Sequence, residues 1–410
     1  MKFITLLRLS GISLGILFGF SDVCLAVETS RSKELTSTLK YVVELHPLVQ
    51  SAKEKLNQAS ADTKSSDQPL YNPELSIDYE SNVENTSTLG VSQTIDLSDK
   101  RSAFAKIGRR NFKAAEAQLV ITRQQVAAGF LNKVNEYQTA QLASSLNSQQ
   151  ISTIDQFTDI AKRRFKVGDI SQIELDLTLL VAGELRMNSA RIQAEFYTAE
   201  TELNAFSNFE EIDLPKLTVQ QIQIDSSSVE QLLLGHPRLR QLRLATEAAK
   251  AQIKLADRQS SADPTVSFSA GKEGDESIYN LGFSMPLFVR NNFSAEIDSA
   301  IANAAAIEQD YRNNYRDILV TVKSSRKKLS LTFDAYKNWV KQSQSGLQQR
   351  GQLLQRLWKS GDLSTTDYLV QIQQTLNTQI SATQLKADVI DAWIEYLLAS
   401  GQIDKWLSLS

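Results

Sequence analysis

The segment RRFKVGDISQIE, beginning at Arg163, and the segment RLWKSGDLSTTD, beginning at Arg356, are one hinge written twice. Their glycines, Gly168 and Gly361, lie 193 residues apart, and three more matches follow the same order. His46-Pro47 returns as His236-Pro237 at a spacing of 190, NPELSIDYE from Asn72 returns as DPTVSFSAG from Asp263 at 191, and LGVSQTIDL from Leu89 returns as LGFSMPLFV from Leu281 at 192. Ordered matches at nearly constant spacing mark a tandem duplication whose unit far exceeds the 20–50 residues of a solenoid repeat. Any fold proposed for one half must therefore serve the other. The expected division is a leader over 1–26, a first repeat over 27–207, a linking segment over 208–230, and a second repeat with a C-terminal tail over 231–410.

Each half has one grammar. The His-Pro pair starts a helix, with proline where an early helical turn accepts it. Two short alternating segments follow, about 73–97 and about 264–288. Leu75, Ile77 and Tyr79 take one side of ELSIDYE and Glu74, Ser76, Asp78 and Glu80 the other; Leu89, Val91, Ile95 and Leu97 oppose Gly90, Ser92, Thr94 and Asp96. The second half repeats this with Val266, Phe268 and Ala270, then Tyr279, Leu281, Phe283, Met285 and Leu287. Period two with one polar face predicts half-buried strands. Proline-free stretches then run from about Asp99 to Val167 and from about Asn291 to Ser360. As helices, each would reach about 100 Å at about 1.5 Å per residue, a length that needs coiled-coil-like packing. Gly168 and Gly361 suit helix C-termini. Ser171 with Glu174, and Ser364 with Asp367, suit capping boxes for the return helices. Each half thus reads as a helical hairpin with a strand pair at its far end and a tip at about 166–171 or 359–364.

Lys2 and Arg8 precede the apolar run GISLGILFGF, and Ala26 offers a small residue for cleavage, so 1–26 reads as a secretory leader. The run is too short for an anchor helix, which needs about 20 apolar residues. Lipidation of Cys24 is the rival reading. Cys24 is the only cysteine, so a chain cleaved at Ala26 has no disulfide and no thiolate metal site. A net charge of −3 offers no broad basic surface for nucleic acid.

Four strands per chain cannot close a barrel, and an open sheet edge cannot face lipid. Barrels begin at about eight strands, so two chains would supply eight and three would supply twelve. A soluble β-layer sheltering one end of a helical bundle fits the same pattern.

The ordered set YNPELSIDYE…GVSQTIDLSDKR, DPTVSFSAG…LGFSMPLFVRNN and the paired hinges resembles the TolC family of outer-membrane efflux ducts. The strand motifs are most similar to its heavy-metal (cobalt–zinc–cadmium) resistance branch. The resemblance implies a mainly α fold with a small β part: duplicated helical hairpins forming an α-barrel, and four strands per chain completing a trimeric twelve-stranded outer-membrane β-barrel. It implies a homotrimer in outer-membrane lipid, working with a periplasmic adaptor (membrane fusion) protein and an inner-membrane pump of the resistance–nodulation–division type, with no cofactor. A long periplasmic extension would carry an irregular band at 208–230. Val167, Gly168, Asp169, Ile170 and Ser171, with Ser360, Gly361, Asp362, Leu363 and Ser364, would be the adaptor-docking tips, although capping alone accounts for the same residues. Asp367, and Glu174 in the first hairpin, match a ring of carboxylates at the periplasmic gate. Such a ring would concentrate cations and raise the pKa of some members. Two further gate positions differ here, with Val370 in place of an aspartate and Leu363 in place of an arginine.

Glu74, Asp78, Glu80 and Asp96 would line the barrel lumen. Tyr71, Tyr79, Phe268, Tyr279 and Phe283 would contribute to an aromatic girdle, and Lys100, Arg101 and Arg290 to the periplasmic rim. His46 and His236 read as structural, and without clustered His, Cys or Met the chain offers no soft metal site. No phosphate loop, His-Glu-x-x-His or Ser/His/Asp set points to catalysis. The expected function is an exit duct carrying substrate, with heavy-metal cations the leading cargo. A periplasmic hairpin scaffold, a drug-efflux duct and a type I secretion duct are the alternatives.

Overall fold

The computed structural model describes residues 37–405 except 82, 83, 208–213, 215, 223 and 343. The leader and Cys24 lie outside the described residues, as does part of the linking segment. The chain is mostly helical with one four-stranded sheet. Helix α1 (37–45) stops at His46. That residue caps α2 (Pro47–Ser66) by accepting from the N–H of Leu48 at Nδ1, 3.2 Å away. Strands β1 (Glu74–Glu80) and β2 (Thr86–Thr94) lead into α3 (Lys100–Lys166) and α4 (Gln172–Ser207). An irregular stretch with one 3-10 turn (Val219–Gln221) leads to α5 (Val229–Leu234). The second half supplies α6 (Pro237–Gln259), β3 (Thr265–Glu273), β4 (Glu276–Ser284), α7 (Ser294–Gln342), α8 (Gln344–Ser360) and α9 (Thr365–Ala399). The first long stretch is therefore one 67-residue helix, about 100 Å long at about 1.5 Å per residue. The second is described as two helices either side of position 343.

Helix α3 packs along α2, α4, α6 and α9, and α7 packs on α6 and α9. Its buried positions are rich in small residues, among them Ala103, Gly108, Ala117 and Ala127, which let backbones approach. At Gly108 the approach is close: Thr63 Oγ1 donates to its carbonyl at 3.0 Å, and an added Cβ would lie 3.3 Å from the Cα of Thr63. The main core gathers Phe130, Leu131, Val322, Leu329, Trp393 and Tyr396 from three helices, with Leu217, Val219 and Ile222 of the linking segment folded onto it. A second core sits at the hairpin tips.

The sheet has the order β1-β2-β3-β4, antiparallel throughout, so both repeats contribute to one layer. The second hairpin reproduces the register of the first. Glu74 faces Ser92, and their equivalents at spacings of 191 and 192, Thr265 and Ser284, face each other. Cross-strand rows are uniform in character. Leu75, Val91, Phe268 and Leu281 form one row, and Ile77, Leu89, Ala270 and Tyr279 the next. The opposite face carries Ser76, Gly90, Ser269 and Asn280 in one row. That polar side is crowded: a Cβ on Gly271 would lie 1.9 Å from the carbonyl oxygen of Ser87. On the two central strands the polar positions are mostly less exposed than the apolar ones, where small residues and glycine permit close approach.

Candidate functional site

Two regions carry the chemistry: the sheet with its strand–helix junction, and the paired tips at the other end of the long helices.

On the sheet, the apolar face is covered by none of the described residues. Ile77 is 78% exposed, Leu281 81% and Phe283 70%. A continuous apolar layer of this kind is a surface for lipid or protein. Strands β1 and β4 end the sheet, each with an outer edge that pairs with no described strand. Nine-residue strands span about 30 Å at about 3.3 Å per residue, enough for an apolar band about 25 Å tall. Glu74, Asp78 and Glu80 share the polar face, where Glu273 and Glu276 join Glu80 in one row.

Asp96 does not belong with them. It lies two residues beyond β2, and its two carboxylate oxygens accept from the N–H groups of Lys100 at 2.8 Å and Arg101 at 2.9 Å. Alternation along the sequence placed it on a strand, but the strand ends at Thr94, and the first turn of α3 needs acceptors for its free N–H groups. It is a helix-capping residue at the junction.

The neighbouring residues are corrected in the same way. Lys100 is buried, not displayed at a rim. Its Nζ lies 2.8 Å from Asp263 Oδ2 and donates to the Ser261 carbonyl at 2.8 Å. Tyr71 is no girdle residue, because its hydroxyl donates to the same Asp263 oxygen at 2.7 Å. That bond to an anion, with burial, pushes the phenol up to about 12. Burial alone would raise Asp263, but the bonds from Lys100 and Tyr71 outweigh it and hold the carboxyl below its ordinary value. Arg258 adds a bond to the Asp99 carbonyl, so the start of α3 is fastened to the end of α6. Tyr79, Phe268, Tyr279 and Phe283 do lie on the apolar face.

At the tips, Gly168 and Gly361 adopt φ of +78° and +86°, the left-handed conformation that ends a helix. After α3, the N–H of Gly168 donates to Phe165 and that of Asp169 to Arg164. The return helices start as their sequence indicates. Ser171 and Glu174 exchange bonds, Glu174 N–H to Ser171 Oγ at 3.3 Å and Ser171 N–H to Glu174 Oε2 at 2.8 Å. The second cap keeps one half of this exchange: Asp367 N–H donates to Ser364 Oγ at 3.0 Å, and the Ser364 hydroxyl donates to Asp367 Oδ2. The hydrogen bonds from Ser171 hold Glu174 below its ordinary pKa. Val167 is 80% exposed, and Gly168, Asp169, Gly361 and Asp362 stand in solvent beside it. Ile170 and Leu363 are half-buried; Leu363 packs into the second core. Ser360 bonds Asp362 at 2.6 Å, and Val370 is exposed.

Residues that the sequence reading missed join the two hairpins. Phe157 of α3, Trp358 of α8 and Tyr368 of α9 form a buried stack with ring centroids 4.2, 4.8 and 5.2 Å apart. Arg164 lies over the Trp358 ring at 4.9 Å and donates to the Trp358 and Lys359 carbonyls. A polar cavity of about 430 Å³ opens beside this stack, lined by Gln149, Gln150, Gln355 and Gln379 among others. Arg164 and Trp358 stand inside the repeated hinge motifs, so their place was visible; their pairing was not.

Among the described residues no group of three His, Cys, Asp or Glu side chains could hold a metal ion. No described helix is long and apolar enough to cross a membrane.

The family model described as outer membrane efflux protein matches residues 40–208 and 228–402. No curated protein matches the sequence. Three solved channel structures share the fold. CusC is similar at 16% identity and a TM-score of 0.76, covering 89% of this chain and 92% of its own. The CmeC outer membrane channel of Campylobacter jejuni is similar at 15% and 0.75, covering 90% and 85%. The MtrE outer membrane channel of Neisseria gonorrhoeae is similar at 15% and 0.73, covering 90% and 89%.

Proposed function

Because the chain belongs to the outer membrane efflux protein family, we propose that it is the passive exit duct of a tripartite efflux system, three copies closing a twelve-stranded barrel around a water-filled lumen. Members of this family are non-enzymatic, homotrimeric channels that work with an adaptor and an inner-membrane pump. The observation that carries the reading is the sheet, with an apolar face that no described residue covers, a polar face opposite it, and outer edges at β1 and β4 that pair with no described strand. In lipid such edges must be closed, since each unsatisfied backbone group there costs several kcal/mol. The helices then extend about 100 Å into the periplasm, and the exposed tips at 167–171 and 360–364 dock on the adaptor.

Glu74, Asp78, Glu80, Glu273 and Glu276 on the polar face favour cations in the lumen. Heavy-metal cations delivered by a resistance–nodulation–division pump fit this field, with selection made upstream in the pump. Asp367 and Glu174 would add carboxylates at the periplasmic mouth.

Reconstitution of the purified chain in planar bilayers tests the proposal. A salt gradient should give a reversal potential displaced toward cations, and Asp367→Asn should weaken block by divalent ions from the periplasmic side. A chain that stays monomeric and soluble without detergent, and opens no conductance, overturns the duct. An unchanged divalent block in Asp367→Asn removes the mouth ring alone.

A further inference from the structure

Beneath the sheet, one side of the α3–α6 pair is basic. Lys106, Arg109 and Lys113 recur at helical spacing on α3, and Arg240, Arg243 and Lys254 do so on α6. These six are exposed, and among the described residues none of them has an ion-pair partner. Their neighbours are paired, Arg110 with Glu247 at 2.9 Å and Lys250 with Glu308 at 3.0 Å. Further along the trunk Lys133 pairs with Glu202 and Arg186 with Asp155. In a chain of net charge −3, six free cations on two adjoining helix faces are a local excess, not the average surface.

Contacts within the fold set which side this is. Gln118 stands on the side of α3 opposite Arg109 and Lys113, Gln241 on the side of α6 opposite Arg243 and Lys254, and Gln241 donates to Gln118 Oε1 at 2.8 Å. The two basic faces therefore adjoin. Lys100 lies five turns before Gln118, on the same side of α3, and reaches Asp263, which continues the polar alternation of Thr265, Ser267 and Ser269. The glutamine side of the helices is thus the polar side of the sheet, and the six cations share the apolar side. That apolar alternation runs on past β2 through Ile95 and Leu97, and past β4 through Met285, Leu287 and Val289, all exposed. The apolar band ends where the long helices begin, directly above the basic face.

We propose that the upper part of this face binds the anionic headgroups of the leaflet in which the apolar band ends. The site presupposes the duct reading, which sets that band in the outer membrane, and adds a lipid-binding surface to it. The membrane is the one body whose place beside the chain the apolar face fixes. Headgroups add about 5–7 Å on each side of a hydrocarbon core about 30 Å thick. At about 1.5 Å per residue, Lys254 lies about 7.5 Å below the upper end of α6 and Lys106 about 9 Å below the start of α3. Lysine lays its apolar stem along the protein and lifts its ammonium to such a layer. Lys113, Arg243 and Arg240 lie about 20, 24 and 28 Å down, past the headgroups by more than the Debye length of about 8 Å. The lipid site therefore ends partway down the face.

Native mass spectrometry of the detergent-solubilised trimer, titrated with dioleoylphosphatidylglycerol or with neutral dioleoylphosphatidylcholine, reads the site. A cation beside an anionic surface is worth about five-fold in affinity, so the parent should prefer the anionic lipid by at least about ten-fold. Lys106→Gln with Lys254→Gln should cut that preference to about three-fold or less, and either substitution alone should lower it by about three-fold. Lys106→Arg with Lys254→Arg should keep it, and Lys113→Gln with Arg243→Gln should leave it within about two-fold of the parent. A parent trimer without the preference, or one whose preference survives Lys106→Gln with Lys254→Gln, overturns the lipid site and leaves the duct standing. An equal loss from Lys113→Gln with Arg243→Gln overturns it too, because the face then serves a polyanion deeper in the periplasm. Absence of any trimer or conductance in the parent removes the duct and the site together.

Discussion

Trp358→Ala should release the two hairpin tips from each other. Trp358 is 1% exposed, and its ring touches Phe157 across the hairpin boundary and Tyr368 across the turn. Replacing a buried tryptophan by alanine costs about 3–5 kcal/mol, from lost burial and the cavity left behind. The stacked pairs account for part of this, at about 0.5–1.5 kcal/mol each. At about 1.36 kcal/mol per decade, the local opening equilibrium rises by about two to nearly four orders of magnitude. The amides that report it are in the turn itself: Leu363 N–H, bonded to the Leu357 carbonyl, and Tyr368 N–H, bonded to the Ser364 carbonyl. Hydrogen exchange followed by mass spectrometry should show their protection falling by about a hundred-fold or more, while amides near Phe130 hold. Trp358→Phe keeps a ring in the stack and loses the Nε1 bond to Thr365 Oγ1, worth about 0.5–1.5 kcal/mol, so its protection should fall by no more than about ten-fold. If Trp358→Ala leaves the turn amides within three-fold of the parent, the stack does not hold the tips together.

Asp263→Asn should destabilise the strand–helix junction by about 3–5 kcal/mol by leaving Lys100 buried without its partner, whereas Lys100→Met with Asp263→Leu should recover most of the loss in thermal unfolding. Because Asp263 titrates below its ordinary value when folded, its stabilisation is complete above about pH 3.9 and is lost as pH falls through the folded pKa. Acid unfolding of the junction below that pH should flatten in Asp263→Asn. The cap at Glu174 has the same sign: it supports the first tip above the ordinary carboxyl range and weakens in acid. Ser171→Ala should cost about 0.5–2 kcal/mol and speed limited proteolysis at 167–171. Gly271→Ala should prevent β2–β3 pairing, since its Cβ would overlap the Ser87 carbonyl, and trimers should be lost from detergent extracts.

Much of the fold was legible because it is periodic and duplicated. The alternation through Leu75, Ile77 and Tyr79 named a strand and its two faces, and the proline-free run to Val167 named a long helix. Gly168 and Gly361 marked the ends, since few other residues take a positive φ there. The errors fall where periodicity stops. Asp96 lies just past β2, Lys100 opens α3 and Tyr71 precedes β1, and each was assigned by extending a pattern or by charge alone. The roles of Tyr71 and Lys100 depend on Asp263, which lies 192 residues from the one and 163 from the other in the chain.

The sequence by itself determined the number of repeats, the identity of strands and helices, the faces of the sheet and the residues at the tips. These follow from local steric preference and from side-chain period, which act over a few residues. Only the tertiary structure decided that the two strand pairs join as one sheet, that Lys100, Tyr71 and Asp263 share a buried site, and that Phe157, Trp358 and Tyr368 tie one hairpin to the other. Those outcomes depend on which surfaces meet once about 100 Å helices pack side by side, and distance along the chain carries no record of that meeting.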